Sequence, residues 1–246
     1  MGNSNVKLNL ERLFNSKFEL IKNISVISFF EELINENPMA FDIASGAITG
    51  LYDENEIDNF KKAKKDPKLI SAFEKAKEIS CDEDLIVSNF KKDILISISE
   101  IKNNLNVESK NFKNQIIFLE HDYQPFALFC GFGPGNYPIL EEPTYFDFNW
   151  QEELYCGVGK IDYSIVWNDF VILNEILEEN EVFDQILDTD LYQNLSNSLK
   201  FKTYLLVHEA FKQLGIEIFN GIEIKIPLYI YGNEHDCEAI NIFVFE

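Results

Sequence analysis

The sequence predicts an α+β fold, with a helical N-terminal part followed by a mainly antiparallel sheet with packed helices. Three observations predict it. Apolar residues recur at helical spacing over much of residues 1–110, and near residue 115 this pattern gives way to short alternating runs. The chain of 246 residues is 46% hydrophobic, a composition typical of globular proteins. We therefore divide it into a helical region, residues 1–110, and an α+β domain, residues 111–246.

Two capping-box patterns mark helix starts in the N-terminal region, at Ser28–Glu31 and at Ser80–Glu83. Pro38 is expected to stop the first of these helices. The second continues into a stripe at helical spacing, which predicts one buried face. Its members are Ile94, Ile98, Ile101 and Leu105.

The first strands are predicted around a turn at residues 121–125. Ile116–Leu119 and Phe126–Cys130 are short apolar runs on either side of it, so we expect them to pair. Tyr145–Phe148 is a further candidate strand. Residues 164–214 return to helical periodicity, and Gly215 is a suitable helix stop.

Two more strands are predicted at the end of the chain. Apolar residues alternate strictly from Ile222 to Tyr231, as in a half-buried strand, and again from Ile240 to Phe245. Pro227 cannot donate a hydrogen bond to a neighbouring strand. It therefore predicts an edge position or a bulge.

Negative charge is concentrated in the second half of the chain. The formal net charge is −21, and no basic residue occurs between Lys160 and Lys200. We expect a negative surface here that selects a basic protein partner by charge, with the alternative that it only keeps the protein soluble. The expected partner-binding residues are Glu175, Glu178, Glu179, Glu181, Asp184, Asp188 and Asp190. If 174–187 is helical, the first three share one face and repel each other.

Nucleic acid is not an expected partner. A phosphate backbone carries the same sign of charge as this protein. The basic cluster Lys61–Lys65 is short and lies near Asp58 and Asp66, which indicates a solvated helix face.

The cysteines predict neither a disulfide nor a metal site. Cys81, Cys130, Cys156 and Cys237 are widely spaced and form no C-x-x-C pair, so we expect free thiols, no cofactor and no structural metal. The N-terminus lacks the apolar core of a signal peptide, and no apolar run reaches membrane-spanning length. A cytoplasmic protein without a membrane partner is expected. The sequence leaves the oligomeric state open.

Each histidine is followed by an acidic residue: His121-Asp122, His208-Glu209 and His235-Asp236. Imidazoles oriented by carboxylates can bind a metal or serve a hydrolase, so an enzyme is one alternative function. The spacing does not define such a site, because H-E-x-x-H would need a histidine where Lys212 stands. No G-x-S-x-G nucleophile motif occurs either.

Trp150-Gln151-Glu152-Glu153 resembles the W-x-x-E element of an uncharacterised bacterial family found among polymorphic-toxin immunity genes. The resemblance covers roughly residues 115–246, with Leu154 where the family has an aromatic residue. It implies a binding protein that neutralises a toxin and has no known catalytic residues. Our leading expectation is therefore an immunity-like protein. The enzyme and a non-catalytic scaffold module remain alternatives.

Overall fold

The computed structural model describes residues 2–36, 39–42, 47–105, 113–121, 125–145, 153–234 and 238–246. The helices are α1 (Asn3–Ile21), α2 (Val26–Glu36), α3 (Glu54–Ala63), α4 (Pro67–Glu78), α5 (Glu83–Asn104), α6 (Ser164–Glu179), α7 (Phe183–Leu187) and α8 (Asp190–Leu214). The strands are β1 (Met39–Asp42), β2 (Ala47–Gly50), β3 (Asn114–His121), β4 (Phe126–Phe132), β5 (Glu153–Asp162), β6 (Ile224–Glu234) and β7 (Ala239–Phe245). A 3₁₀ helix occupies Ile216–Phe219.

A five-stranded sheet, in the order β5-β4-β3-β6-β7, forms the centre of the C-terminal half. Its neighbours pair antiparallel except β3 and β6, which are parallel. The α+β class, the pairing of β3 with β4 and the mainly antiparallel sheet are confirmed. The β1–β2 hairpin was not predicted.

In β3, β4 and β7 both faces of the sheet are almost wholly buried, so these strands do not show the half-buried pattern expected of an open sheet, whereas most residues of β5 are exposed or half-buried. All seven residues of β7 are buried, although it is an edge strand. The Asn3 side chain protects that edge, because it donates to the Val244 carbonyl (2.6 Å) and accepts from the Val244 amide (2.8 Å). On one face Phe118, Cys130 and Tyr231 belong to a buried cluster.

Pro227 lies where the β3–β6 pairing is irregular. Asn114 pairs with Ile224 and Ile116 with Tyr229, so the residues between them in β6 leave the regular ladder. The predicted bulge is therefore correct, while the edge position is wrong because β6 lies between β3 and β7. Ile226, expected on the buried face, is 44% exposed in this irregular segment.

The predicted helix starts are displaced by a few residues. α2 begins at Val26, before Ser28. α5 begins at Glu83, and its N-cap is Asp82, whose side chain accepts from the Leu85 amide at 3.1 Å. The stripe expected from Ile94 to Leu105 is buried as predicted. α8 ends at Leu214, with Gly215 at φ 72° as the expected stop.

The chain forms two compact units that interleave in sequence. The first unit contains residues 1–14, 81–166 and 200–246, and therefore holds the five-stranded sheet. The second unit contains residues 15–80 and 167–199. This division does not coincide with a boundary at residue 110, a position that itself lies outside the described residues.

The expectation of free thiols is wrong for two cysteines. Cys130 in β4 and Cys156 in β5 form a disulfide, while Cys81 is free. Sequence spacing could not reveal this pairing, because it depends on the register shifts where β5 pairs with β4. Cys237 lies outside the described residues. Among the described helices, none has both the length and the apolar content needed to cross a membrane.

Candidate functional site

The expected partner-binding carboxylates lie on the end of α6, the following loop, α7 and the start of α8. All of them are exposed, and all belong to the second unit. Glu175, Glu178 and Glu179 are in the last turns of α6, so they share a face as the i, i+3, i+4 spacing predicts. We call the seven residues from Glu175 to Asp190 the acidic surface.

The continuous helix expected from Asn174 to Leu187 is wrong, because α6 ends at Glu179. Glu181 has a left-handed backbone, with φ 57°. The amides of Glu181 and Val182 bond back to the carbonyls of Glu178 and Leu177, at 2.9 and 3.1 Å. This is the Schellman pattern of helix termination, and the buried Val182 and Leu177 supply its usual apolar contact.

Neutral amides attach the acidic surface to the rest of the second unit. Asn59 Nδ2 donates to Glu181 Oε2 at 3.3 Å, and Gln185 Nε2 donates to Glu56 Oε1 at 2.8 Å. Asn180 Nδ2 donates to Asp66 Oδ2 at 3.0 Å, and this bond is the main reason that the pKa of Asp66 is lowered. These bonds fix α6 and α7 in place without neutralising their charge.

Two lysines of the second unit form ion pairs with carboxylates that lie outside the acidic surface. Lys61 contacts Asp58 at 2.7 Å and Lys64 contacts Glu31 at 3.4 Å, which confirms the predicted solvated helix face for the basic cluster. Within the described parts of the chain, no residue of the acidic surface forms an ion pair. Its negative charge is therefore uncompensated by neighbouring side chains.

The helix ends add a second electrostatic feature. Glu178 and Glu179 lie in the last turn of α6, at the negative end of the helix dipole, where a carboxylate costs about 0.3–1 kcal/mol. Asp190 lies in the first turn of α8, where the same dipole stabilises it. Asp190 thus has a local structural role that the α6 glutamates lack.

A cavity of about 480 Å³ adjoins the acidic surface within the second unit. Its apolar lining includes Phe29, Leu33 and Leu191, and its exposed carboxylates include Asp188 and Asp190. Such a site suits a side chain with an apolar stem and a cationic head. This cavity could not be predicted from the sequence, because its lining comes from segments more than a hundred residues apart.

Two of the candidate histidines serve the core of the first unit. His121 is 4% exposed, and its Nε2 lies 3.1 Å from the hydroxyl of Tyr204. His208 is 2% exposed, and its Nδ1 donates to the Ile242 carbonyl at 2.7 Å. Burial of the ring lowers the pKa of His208. Its sequence neighbour Glu209 bonds instead to Gln213 and Lys212.

The other residues singled out from the sequence are not part of the acidic surface. His235, the third histidine, lies outside the described residues, as does Trp150 of the W-x-x-E element. Glu153 is the exposed first residue of β5. A different group of potential metal ligands is present among the described residues, namely Glu120, Cys130 and Cys156. Sequence reasoning missed it, because the three residues come from three strands.

Comparison with protein-family models finds no match to this sequence, and comparisons with curated proteins and with solved structures find none either. The candidate site therefore stands on its own geometry: exposed carboxylates beside a cavity with an apolar lining, with Glu181 bonded to the Asn59 amide.

Proposed function

We propose that this chain is an immunity-like binding protein whose acidic surface neutralises a basic toxin domain in the cytoplasm. One observation carries the proposal: in the described part of the second unit, the side chains that bond to the acidic surface or beside it are neutral, among them the amides of Asn59, Asn180 and Gln185. The surface thus keeps its full charge for a partner. The resemblance of Trp150 to Glu153 to an immunity-associated family points the same way.

The α6 glutamates of the acidic surface are electrostatically unfavourable in the free protein, and a cationic partner would relieve this repulsion. Glu175 and Glu179 are one helical turn apart and repel by about 0.2–0.5 kcal/mol, and Glu178 and Glu179 oppose the dipole of α6. Sequences commonly depart from local stability rules at functional sites. Toxin domains that attack nucleic acid are often cationic, so attraction between opposite charges would speed their capture.

The cavity gives this surface a place for one basic side chain. A lysine or arginine could bury its aliphatic stem against Phe29 and Leu191 while its charged head meets Asp188 or Asp190. A side chain that loses its water in such a cavity contributes more to affinity than contacts at the rim of an interface do.

The test uses the toxin domain encoded beside the gene for this chain. Glu175→Gln/Glu178→Gln/Glu179→Gln should lower its association rate at low salt by about tenfold, and rising salt should reduce the difference. The matched control replaces Glu100, Glu223 and Glu238 with glutamine. These acids are also exposed, lie in the first unit and enter no ion pair with a described residue, so the control removes the same total charge.

Two results would count against the proposal. If both triple variants slow association equally, overall charge rather than this surface attracts the partner. If no neighbouring gene encodes a basic toxin domain, the immunity role fails and a scaffold role becomes the better account. The enzyme alternative gains no support from His121 and His208, because both serve as buried hydrogen-bonding groups of the core.

A further inference from the structure

Three neighbouring strands bring one carboxylate and two sulfurs together in the first unit. Glu120 lies on β3, Cys130 on β4 and Cys156 on β5, and their ligand atoms all lie within 4.8 Å of one another. Cys130 is buried, Glu120 is partly buried and Cys156 is exposed. The group therefore has one side that a solute can reach.

Two glycines of β5 create this geometry. Gly157 and Gly159 have φ of 68° and 67°, in the left-handed region, and both lie where the β4–β5 register shifts. Such bulges re-aim side chains and are common beside functional sites. Here they place Cys156 against Cys130, although the two residues are not partners in a regular ladder.

The Glu120 carboxylate lies beside one of the two sulfurs. Its Oε2 lies 3.6 Å from Cys130 Sγ. In the disulfide this sulfur has no proton to donate, so it offers the carboxylate no hydrogen bond. After reduction the Cys130 thiol could donate to Glu120, or both thiolates and the carboxylate could share a cation.

We infer that Glu120, Cys130 and Cys156 form a redox-gated site for a thiophilic divalent cation, with Zn²⁺ as the best match. Two thiolates and one carboxylate are donors that zinc prefers, whereas magnesium and calcium prefer oxygen alone. Three protein ligands leave the fourth tetrahedral position to water or to a ligand. The site is independent of the acidic surface and of the proposed toxin binding.

The distances fit this assignment. Zinc–sulfur bonds of about 2.3 Å and zinc–oxygen bonds of about 2.0–2.2 Å place tetrahedral donors roughly 3.5–3.8 Å apart. The contact between Glu120 and Cys130 already has this length. The two sulfurs need only move from bonding distance to tetrahedral spacing, and the exposed Cys156 side chain can supply that movement by rotation.

The gating step is a balanced exchange. A dithiol reductant gives two electrons and two protons to the Cys130–Cys156 bond and closes to its own disulfide, which leaves two thiols. Binding of Zn²⁺ then releases both thiol protons to solvent, while two zinc–sulfur bonds and one zinc–oxygen bond form. In the reverse direction a disulfide oxidant accepts two electrons from the two thiolates and two protons from solvent and leaves as a dithiol, while the Cys130–Cys156 bond re-forms and the cation is released.

The experiment uses the full chain with Cys81 and Cys237 replaced by serine, so that Cys130 and Cys156 are its only thiols. The protein is reduced with a phosphine, which becomes a phosphine oxide by taking oxygen from water and does not compete as a thiol. It is then titrated with Zn²⁺ against a chelating dye, and with Co²⁺ to detect thiolate-to-metal charge transfer. We expect one equivalent bound per reduced monomer and none per oxidised monomer.

Variants in the same background identify the ligands. Cys156→Ser, at an exposed position that tolerates the change, should lower zinc affinity by tenfold or more, and Glu120→Gln by about tenfold. The matched control is Glu153→Gln, an exposed residue of β5 outside the group, which should bind as the parent does. The inference is overturned if the reduced protein binds no zinc, if Cys156→Ser binds equally well, or if zinc binds only by bridging two protein molecules.

Discussion

Glu181 sets the end of α6 through its own backbone conformation. A left-handed backbone costs a non-glycine residue about 1–2 kcal/mol, and glycine is the usual residue at this position of a Schellman motif. Glutamate occupies this position at φ 57°, and its carboxylate accepts the bond from Asn59. Glu181 therefore combines a strained backbone with a polar contact to α3.

Substitution of Glu181 should separate backbone strain from charge. Glu181→Gly relieves the strained conformation but gives the unfolded chain more freedom, so the free energy of unfolding should change by less than about 1 kcal/mol. Glu181→Val adds a β-branched side chain at positive φ and should destabilise by about 1–2 kcal/mol. Urea unfolding of both variants, followed by circular dichroism, measures this. Equal stabilities would contradict the assigned conformation.

His208 predicts a dependence of stability on pH. Burial lowers the pKa of His208 below 6.5, so as pH falls below 6.5 the unfolded chain takes up a proton that the folded chain does not. The contribution of this residue to stability is therefore present above pH 6.5 and is lost on acidification. His208→Asn keeps an N–H donor for the Ile242 carbonyl and cannot titrate. The urea midpoint of this variant should fall less between pH 7.5 and 5.5 than that of the parent.

Single residues were predictable where a local rule decides their position. Gly215 stops α8 because few other residues adopt its backbone conformation easily. Glu181 was not predictable, since nothing near it in sequence shows that the helix must end. The link between Cys130 and Cys156 depends on strand register, which spacing along the chain does not encode.

Among the elements, α5 and β5 are joined by a close contact at Gly159. Ser97 of α5 donates to the Lys160 carbonyl at 3.2 Å and accepts from its amide at 2.9 Å. A Cβ added at Gly159 would lie 2.7 Å from Ser97 Cα, an atom of the helix backbone that cannot rotate away. Only glycine therefore allows the strand to approach the helix this closely.

Gly159→Ala should destabilise the protein by about 2–4 kcal/mol, because it combines positive φ with a backbone clash. Gly157→Ala is the matched control, since φ is almost the same while no atom lies within 4 Å of the added carbon. Its cost should be limited to about 1–2 kcal/mol. Thermal unfolding of the two variants gives the comparison. If Gly157→Ala proves as damaging as Gly159→Ala, the helix contact is not what requires glycine.

At the level of elements, long periodic segments were predicted better than short or irregular ones. The buried stripe of α5 and the pairing of β3 with β4 follow directly from apolar spacing. The β1–β2 hairpin and the register shifts of β5 were missed, because short strands and register shifts depend on tertiary contacts. For the same reason the capping patterns at Ser28 and Ser80 identified real helices but placed their starts wrongly.

Over the whole molecule, negative charge is concentrated on the acidic surface, where it bears both on the free energy of unfolding and on the proposed binding of a partner. The sequence alone located the acidic surface, and the structure places its α6 glutamates at the unfavourable end of a helix. What sequence could not supply was the contrast between Glu181 of this surface, which accepts from the Asn59 amide, and Asp58 and Glu31, which pair with Lys61 and Lys64. That contrast requires knowledge of which segments fold together.

Relief of this repulsion should be measurable without any partner. Glu178→Gln/Glu179→Gln should raise the free energy of unfolding at low salt by about 0.5–2 kcal/mol, since both unfavourable dipole interactions disappear. The gain should shrink in 0.5 M sodium chloride, where the screening length is only a few ångströms. Asp190→Asn should lower stability instead, because Asp190 lies at the favourable end of α8. Urea unfolding at two salt concentrations distinguishes these signs. If the double variant is no more stable than the parent, the acidic surface carries no electrostatic cost, and the argument that its charge is kept for a cationic partner loses its physical basis.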